Sequence, residues 1–254
     1  MILPFDEAGT GPAVVLLHAG VADRRMWAGH LEPLAAAGLR AIAPDLPGFG
    51  ETPEPPGEQA PWREVLATMD AAGVETAALV GDSLGGAVAL RVALVAPTRV
   101  RALVLCSAQA PGHEPSPSLR AAWAAEEEAV ERDDLDGAVA AVVAAWTQPD
   151  APAALRDYVA DAQRRALTLQ LAAGDVDEAE DPAEAGPGAL GGLDVPTLVV
   201  VGEHDMVDYH RSADTLAAAI PGASRVVLPG AGHLAPLETP EAFRSLVLDF
   251  LPAA

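Results

Sequence analysis

The sequence predicts an α/β fold in which a mostly parallel, doubly wound sheet carries an inserted helical segment. Two observations lead there. Short, almost wholly apolar runs, as strands covered on both faces require, recur along the chain. Amphipathic stretches of helical length separate them, and strands alternating with helices imply parallel crossovers. A third observation marks the insertion. Between Pro111 and Leu193 the alternation stops and three helical stretches follow one another.

Taken in order, the expected strands are Ala13–Leu17, Leu39–Ala43, Thr76–Val80, Val100–Cys106, Pro196–Val201 and Ser224–Leu228. The helices expected between them are His30–Ala37, Trp62–Ala72, Leu84–Val95, Arg211–Ala219 and Pro240–Leu251. Right-handed crossovers place the strand C-terminal ends, and the loops leaving them, along one edge of the sheet. In the interrupted region, turn-rich Ala110–Pro117 leads into helices Ser118–Arg132, Leu135–Trp146 and Ala153–Ala173. Gly174–Gly192, acidic and rich in Gly and Pro, reads as a mobile linker without strands. The expected organisation is a core of residues 1–110 and 194–254 with a helical cap over 111–193. Glu126-Glu127-Glu128 reads as a solvated helix face rather than a metal site.

The 254 residues suffice for one large α/β domain or a core with an insertion. The net charge is −22 and all 15 basic residues are arginine, which matches a GC-rich bacterial coding sequence. Such a balance provides no basic stripe for phosphates and argues against nucleic acid or an anionic membrane as partner. The single cysteine, Cys106, has no internal disulfide partner and ends an apolar run, so a buried small hydrophobe is expected. The N-terminal residues lack a signal-peptide pattern, and no run reaches the roughly 18 apolar residues of a membrane span. A cytoplasmic protein, monomeric or homodimeric and acting on a small molecule, is expected.

The chemistry concentrates at Gly81-Asp82-Ser83-Leu84-Gly85, where an apolar run meets a helix. A serine between glycines at a strand-to-helix turn fits a nucleophile elbow, which exposes the hydroxyl. It also frees the backbone N–H of Leu84 for an oxyanion. A reactive serine needs a base, and the base an orienting acid. Downstream, one strand runs into Gly202-Glu203-His204-Asp205 and the last into Gly230-Ala231-Gly232-His233. Both loops leave strand C-terminal ends, the edge on which Ser83 sits. His233 is the expected base and Asp205 the expected acid, with Glu203 and Asp208 as rival acids. The rival histidines are His18, His30, His113, His204 and His210. The second oxyanion donor is expected from Leu17-His18-Ala19-Gly20-Val21, with Gly20 ahead of Val21 and His18 bracing the loop. Asp82 reads either as a hydrogen-bond acceptor behind the site or, preferably, as an acid favouring the helix N-terminus.

These residues resemble the α/β-hydrolase superfamily over nearly the whole chain. The matching pieces are Leu17-His18-Ala19-Gly20 with Trp27, Asp45-Leu46-Pro47-Gly48-Phe49-Gly50-Glu51-Thr52, Val80–Gly86, Gly202–Asp205 and Gly230–His233. The chain looks most like small bacterial esterases and lactonases of the enol-lactonase type. The resemblance implies a Ser83–His233–Asp205 triad and an active site between core and cap. Three departures stand out. Ala19 separates His18 from Gly20 where the family has His-Gly, and Asp82 stands where His or Asn is commoner. About a dozen residues precede Ala13, so one of the two antiparallel strands many relatives carry there is expected to be missing.

The expected activity is cleavage of an ester or lactone of a small, fairly apolar substrate through an acyl-enzyme. Carbon–carbon bond hydrolysis, perhydrolysis and acyl transfer remain open on the same triad, as does a non-catalytic ligand-binding role. Ser83 argues against the Asp-nucleophile chemistry of dehalogenases and epoxide hydrolases. No His/Cys/Glu spacing matches zinc, and Gly9-Thr10-Gly11 and Gly48-Phe49-Gly50 lack the context of a dinucleotide fingerprint, so neither metal nor cofactor is expected. Trp123, Trp146, Leu119, Val142, Val143, Tyr158 and Leu167 are the candidate pocket walls.

Overall fold

A computed structural model describes residues 1–174, 176–184 and 186–251. In chain order the elements begin with β1 (Phe5–Ala8), β2 (Ala13–Leu17), α1 (Ala28–Ala36), β3 (Arg40–Pro44), β4 (Gly57–Gln59) and α2 (Pro61–Ala71). Next come β5 (Ala77–Asp82), α3 (Leu84–Val95), β6 (Val100–Cys106), α4 (Pro117–Glu131), α5 (Leu135–Trp146) and α6 (Ala153–Ala172). The chain continues through β7 (Val176–Glu178), β8 (Thr197–Gly202), α7 (Val207–Ala219), β9 (Ser224–Leu228), α8 (Ala235–Glu238) and α9 (Pro240–Phe250).

The main sheet has seven strands in the order β1-β3-β2-β5-β6-β8-β9. Among the described residues only β1 runs antiparallel, on β3, and the other pairings of this sheet are parallel. The described residues before β2 supply one antiparallel strand. Strands β2, β5 and β8 are buried at every position, which is why they read as unbroken apolar runs. Helix α2 packs on α3 and α1 on α9, where Trp27, His30 and Phe243 form an aromatic cluster. The fully buried ring systems of Trp27 and Phe243 anchor that junction.

Between β6 and β8 lie α4, α5 and α6, with α4 against α5 and α5 against α6. Val139 and Leu167, together with Ala129 and Ala138, form a small apolar cluster of their own. The segment after α6 departs from expectation. Val176–Glu178 form β7, which pairs in parallel with β4. Gly186–Gly192 form a 3₁₀ helix over buried Leu190. Asp181 also pairs with Arg91 of α3. Residues 175 and 185 of the expected linker lie outside the described residues. A strand of three residues is too short to show alternation, and its partner Gly57-Glu58-Gln59 is polar, so hydropathy carried no sign of either. Strand β5 likewise extends through Gly81 to Asp82, two residues beyond the apolar run.

Candidate active site

The site begins with the sharp turn at the end of β5. Ser83 has φ +52° and ψ −114°, left-handed backbone that L residues rarely adopt. A Cβ on Gly81 would lie 2.2 Å from the Gly85 carbonyl oxygen, and one on Gly85 2.2 Å from that of Leu17. The two glycines thus let the turn close and let α3 rest on the end of β2. The Ser83 N–H donates to the Cys106 carbonyl at 2.8 Å, tying the turn to β6. Leu84 opens α3, so its N–H belongs to the first turn, where a helix leaves donors unused.

The loops after β8 and β9 meet through glycine as well. A Cβ on Gly202 would fall 2.1 Å from the Gly232 carbonyl oxygen. His204 N–H donates across to Ala231 O at 2.8 Å. This close approach sets the acid beside the base. His233 Nδ1 lies 3.0 Å and 3.3 Å from the two Asp205 oxygens, and Nε2 lies 2.9 Å from Ser83 Oγ. In the tautomer this chain requires, Ser83 Oγ–H donates to Nε2 and Nδ1–H donates to Asp205. Asp205 also accepts the Met206 N–H at 2.8 Å, and its side chain is fully buried. The His233 ring lies between Trp146 and Tyr209, with centroids 4.6 Å and 4.3 Å away.

Electrostatics favour a protonatable imidazole. Burial pushes the His233 pKa down, but the charge and hydrogen bond of Asp205, with Asp82 and Glu238 nearby, outweigh it and raise the pKa above 6.5. Glu238 accepts the Gly232 N–H, and burial raises its own pKa. Asp82 is fully buried; its carboxylate oxygens have no nitrogen or oxygen donor among the described residues, and the Cys106 thiol of β6 is their polar neighbour. Burial lifts its pKa to about 7. This corrects the reading of Asp82 as an acid serving the helix N-terminus. Because β5 continues through residue 82, the side chain points into protein.

The rival residues are occupied elsewhere. Glu203 accepts the Gly230 N–H at 2.9 Å. Asp208 accepts from Ser116 N–H, Ser116 Oγ–H and the His113 ring at 2.7, 2.6 and 2.9 Å, which holds its pKa down near 2 although burial opposes the shift. His30 donates to Pro236 O, His204 is exposed beside Glu203, and His210 faces Arg225. His18 is buried. Its Nδ1–H donates to Ala19 O at 2.8 Å and its Nε2 accepts the Leu46 N–H at 2.9 Å. Burial lowers its pKa, so it braces the loop as a neutral ring. The Ala19 N–H contacts Met26 Sδ at 3.4 Å. Gly20 and Val21 follow at the cavity wall.

A cavity of about 360 Å³ lies over Ser83, walled by Gly20, Val21, Leu84 and His233 from the core. Trp123, Glu126, Trp146, Gln163 and Gln170 close it from the inserted helices. Of the expected walls, Trp123 and Trp146 line it. Leu119 and Val142 are buried in the main core, Leu167 in the small cluster, and Val143 faces another cavity. Tyr158 hydrogen-bonds with Asp23. Glu126 departs from the solvated face expected of it: it is half-buried and accepts the Gln163 Nε2–H at 2.7 Å. The sign was present in the spacing. Leu119, Trp123, Glu126 and Val130 recur at helical intervals, so Glu126 falls on the inward stripe. Phe49, from the matched piece Asp45–Thr52, also lines the cavity, as do Tyr209 and Gln109, which no pattern in the sequence singled out as pocket walls.

A strained serine at a strand–helix turn, hydrogen-bonded to a histidine that an acid holds from behind, defines a class. The chain belongs to the alpha/beta hydrolase fold family, whose model matches residues 12–240. Among curated relatives it is 29% identical to the 2-hydroxy-6-oxo-6-phenylhexa-2,4-dienoate hydrolase of Burkholderia cepacia, over 97% of this chain and 90% of that one. Among solved structures it resembles the enol-lactonase of Burkholderia xenovorans, with TM-score 0.79 and 25% identity over 98% and 95% of the two chains. It also resembles a thermophilic esterase of Thermogutta terrifontis, with TM-score 0.77 and 27% identity over 97% and 92%. Among the described residues no helix is long and apolar enough to cross a membrane.

Proposed function

We propose that this hydrolase cleaves an ester or lactone of a small, fairly apolar substrate through an acyl-enzyme. The observation that carries the reading is the continuous chain Ser83 Oγ, His233, Asp205 on the floor of a cavity. Ser83 attacks the carbonyl carbon while His233 Nε2 takes its proton. Asp205 keeps Nδ1 protonated and stabilises the imidazolium. The resulting oxyanion accepts from the Leu84 N–H and from the Gly20 N–H, with Val21 the alternative, since the Ala19 N–H is engaged by Met26. Each donor is worth on the order of 3 kcal/mol. His233 then protonates the leaving oxygen, and water activated by the same nitrogen releases the acid. Residues 111–193 serve as the cap and supply the roof.

A second reading, hydrolysis of a carbon–carbon bond in an oxo-acid, is favoured by the dienoate hydrolase among the relatives. A dienoate carries a carboxylate, and among the described cavity-lining residues there is no arginine to receive one. The ester or lactone reading is therefore preferred. A panel of p-nitrophenyl esters of graded length beside several lactones and oxo-dienoates tests it. Turnover of at least one member, lost in Ser83→Ala, is the expected result. Turnover of oxo-dienoates alone would transfer the assignment to the second reading.

A further inference from the structure

The cavity over Ser83 has an unusual balance of groups. Phe49, Trp123, Trp146 and Tyr209 give it four aromatic rings. Glu126 is the one carboxylate among its described lining residues, beside the His233 imidazole and the Tyr209 phenol, and the other polar groups there include three neutral glutamines. Glu126 has one oxygen engaged by Gln163. Gln163 is 4% exposed, and with its Nε2 turned to Glu126 its own Oε1 is left buried without a partner. The roof therefore holds an acceptor-rich pair with no positive charge against it. The nearby Arg91, in the adjoining cavity, is spent on Asp181 and the Ala87 carbonyl.

A partly buried carboxylate lacking a counter-ion is costly, and burial raises the Glu126 pKa accordingly. A cation in the cavity would remove that cost. Aromatic walls attract cations through their ring quadrupoles, and an anionic protein concentrates them. We propose that the preferred substrate carries a positive charge, an ammonium group held between the Glu126 carboxylate and the Trp123 ring one turn before it on α4, while Trp146 and Tyr209 pack on His233 at the reacting end. This rests on the hydrolase reading and narrows it, replacing a fairly apolar substrate by one whose apolar body ends in a cation.

Three p-nitrophenyl esters of matched length test the proposal: those of 4-(trimethylammonio)butyrate, of its neutral isostere 5,5-dimethylhexanoate, and of glutarate. The expected order of kcat/KM is cationic above neutral by about 10-fold or more, and anionic below neutral by a similar factor. In Glu126→Gln the cationic-to-neutral ratio should fall about 10-fold. Equal rates for the three esters, or a ratio unmoved in Glu126→Gln, would overturn the proposal. A binding measurement separates it from catalysis. Ser83→Ala titrated with choline and with 3,3-dimethylbutan-1-ol should favour choline, and the added Glu126→Gln change should erase the difference. If no ester is turned over but choline is preferred through Glu126, the cation site stands and the hydrolase reading fails. If esters are turned over and choline has no advantage, the hydrolase reading stands and the cation site fails.

Discussion

Beyond Asp205, two carboxylates near His233, buried Asp82 and half-buried Glu238, shape the pH behaviour of the site. Asp82 has a folded-state pKa of about 7, well above the ordinary carboxylate value, because burial disfavours its charge. An acid raised in this way makes the fold lose stability as pH rises from its unfolded pKa, near 4, through 7. Asp82→Asn removes that loss. Chemical denaturation should show a gain of roughly 1–4 kcal/mol at pH 8 and a smaller difference at pH 5. A gain of the same size at both pH values would assign it to packing. His233 must be neutral to act as base, and its pKa is raised, so kcat/KM should rise with pH along a limb centred above 6.5. Glu238→Gln takes away one nearby negative charge and should move that limb to lower pH. A limb that stays in place would remove Glu238 from the electrostatics of the base. The serine, histidine and catalytic-type acid were legible because each follows a strand end in a short glycine-containing loop. Asp82 was misread because Gly81 conceals the continuation of β5 in a hydropathy pattern.

At the scale of elements, the approach of the β8 and β9 loops decides whether acid and base meet. Gly202→Ala places a Cβ against the Gly232 carbonyl, a backbone atom that yields only if the loop moves. Displacement of about 1 Å in a catalytic group can cost 10²-fold, so kcat should drop by about that factor. Circular dichroism should still report a folded protein. Wild-type kcat in Gly202→Ala would mean that the loops have slack. Strands with two covered faces and the helices between them were readable by composition, several at the same bounds, such as β2, β6, β9, α3 and α5. Strands β4 and β7 were not readable, because they pair with each other through backbone bonds and carry polar side chains. Glu126 was overlooked because three consecutive glutamates suggest solvent, while helical spacing turns only the first toward the cavity.

For the whole molecule, a charge of −22 surrounds a cavity whose roof also carries a carboxylate. A field of that sign favours cationic and disfavours anionic ligands, and salt screens it with a Debye length of about 10 Å at 0.1 M. Raising ionic strength from 10 to 300 mM should lower kcat/KM for a cationic ester and raise it for an anionic one, leaving a neutral ester as the control. Parallel responses of all three esters would mean that salt acts on the fold rather than on the encounter.

The whole mechanism depends on Ser83 being a nucleophile that His233 activates. A fluorophosphonate followed by peptide mass spectrometry tests it most directly. One adduct is expected, on the peptide bearing Ser83, formed far more slowly in His233→Ala and absent in Ser83→Ala. An unmodified Ser83 in folded wild-type protein, or modification at an unchanged rate without His233, would contradict it.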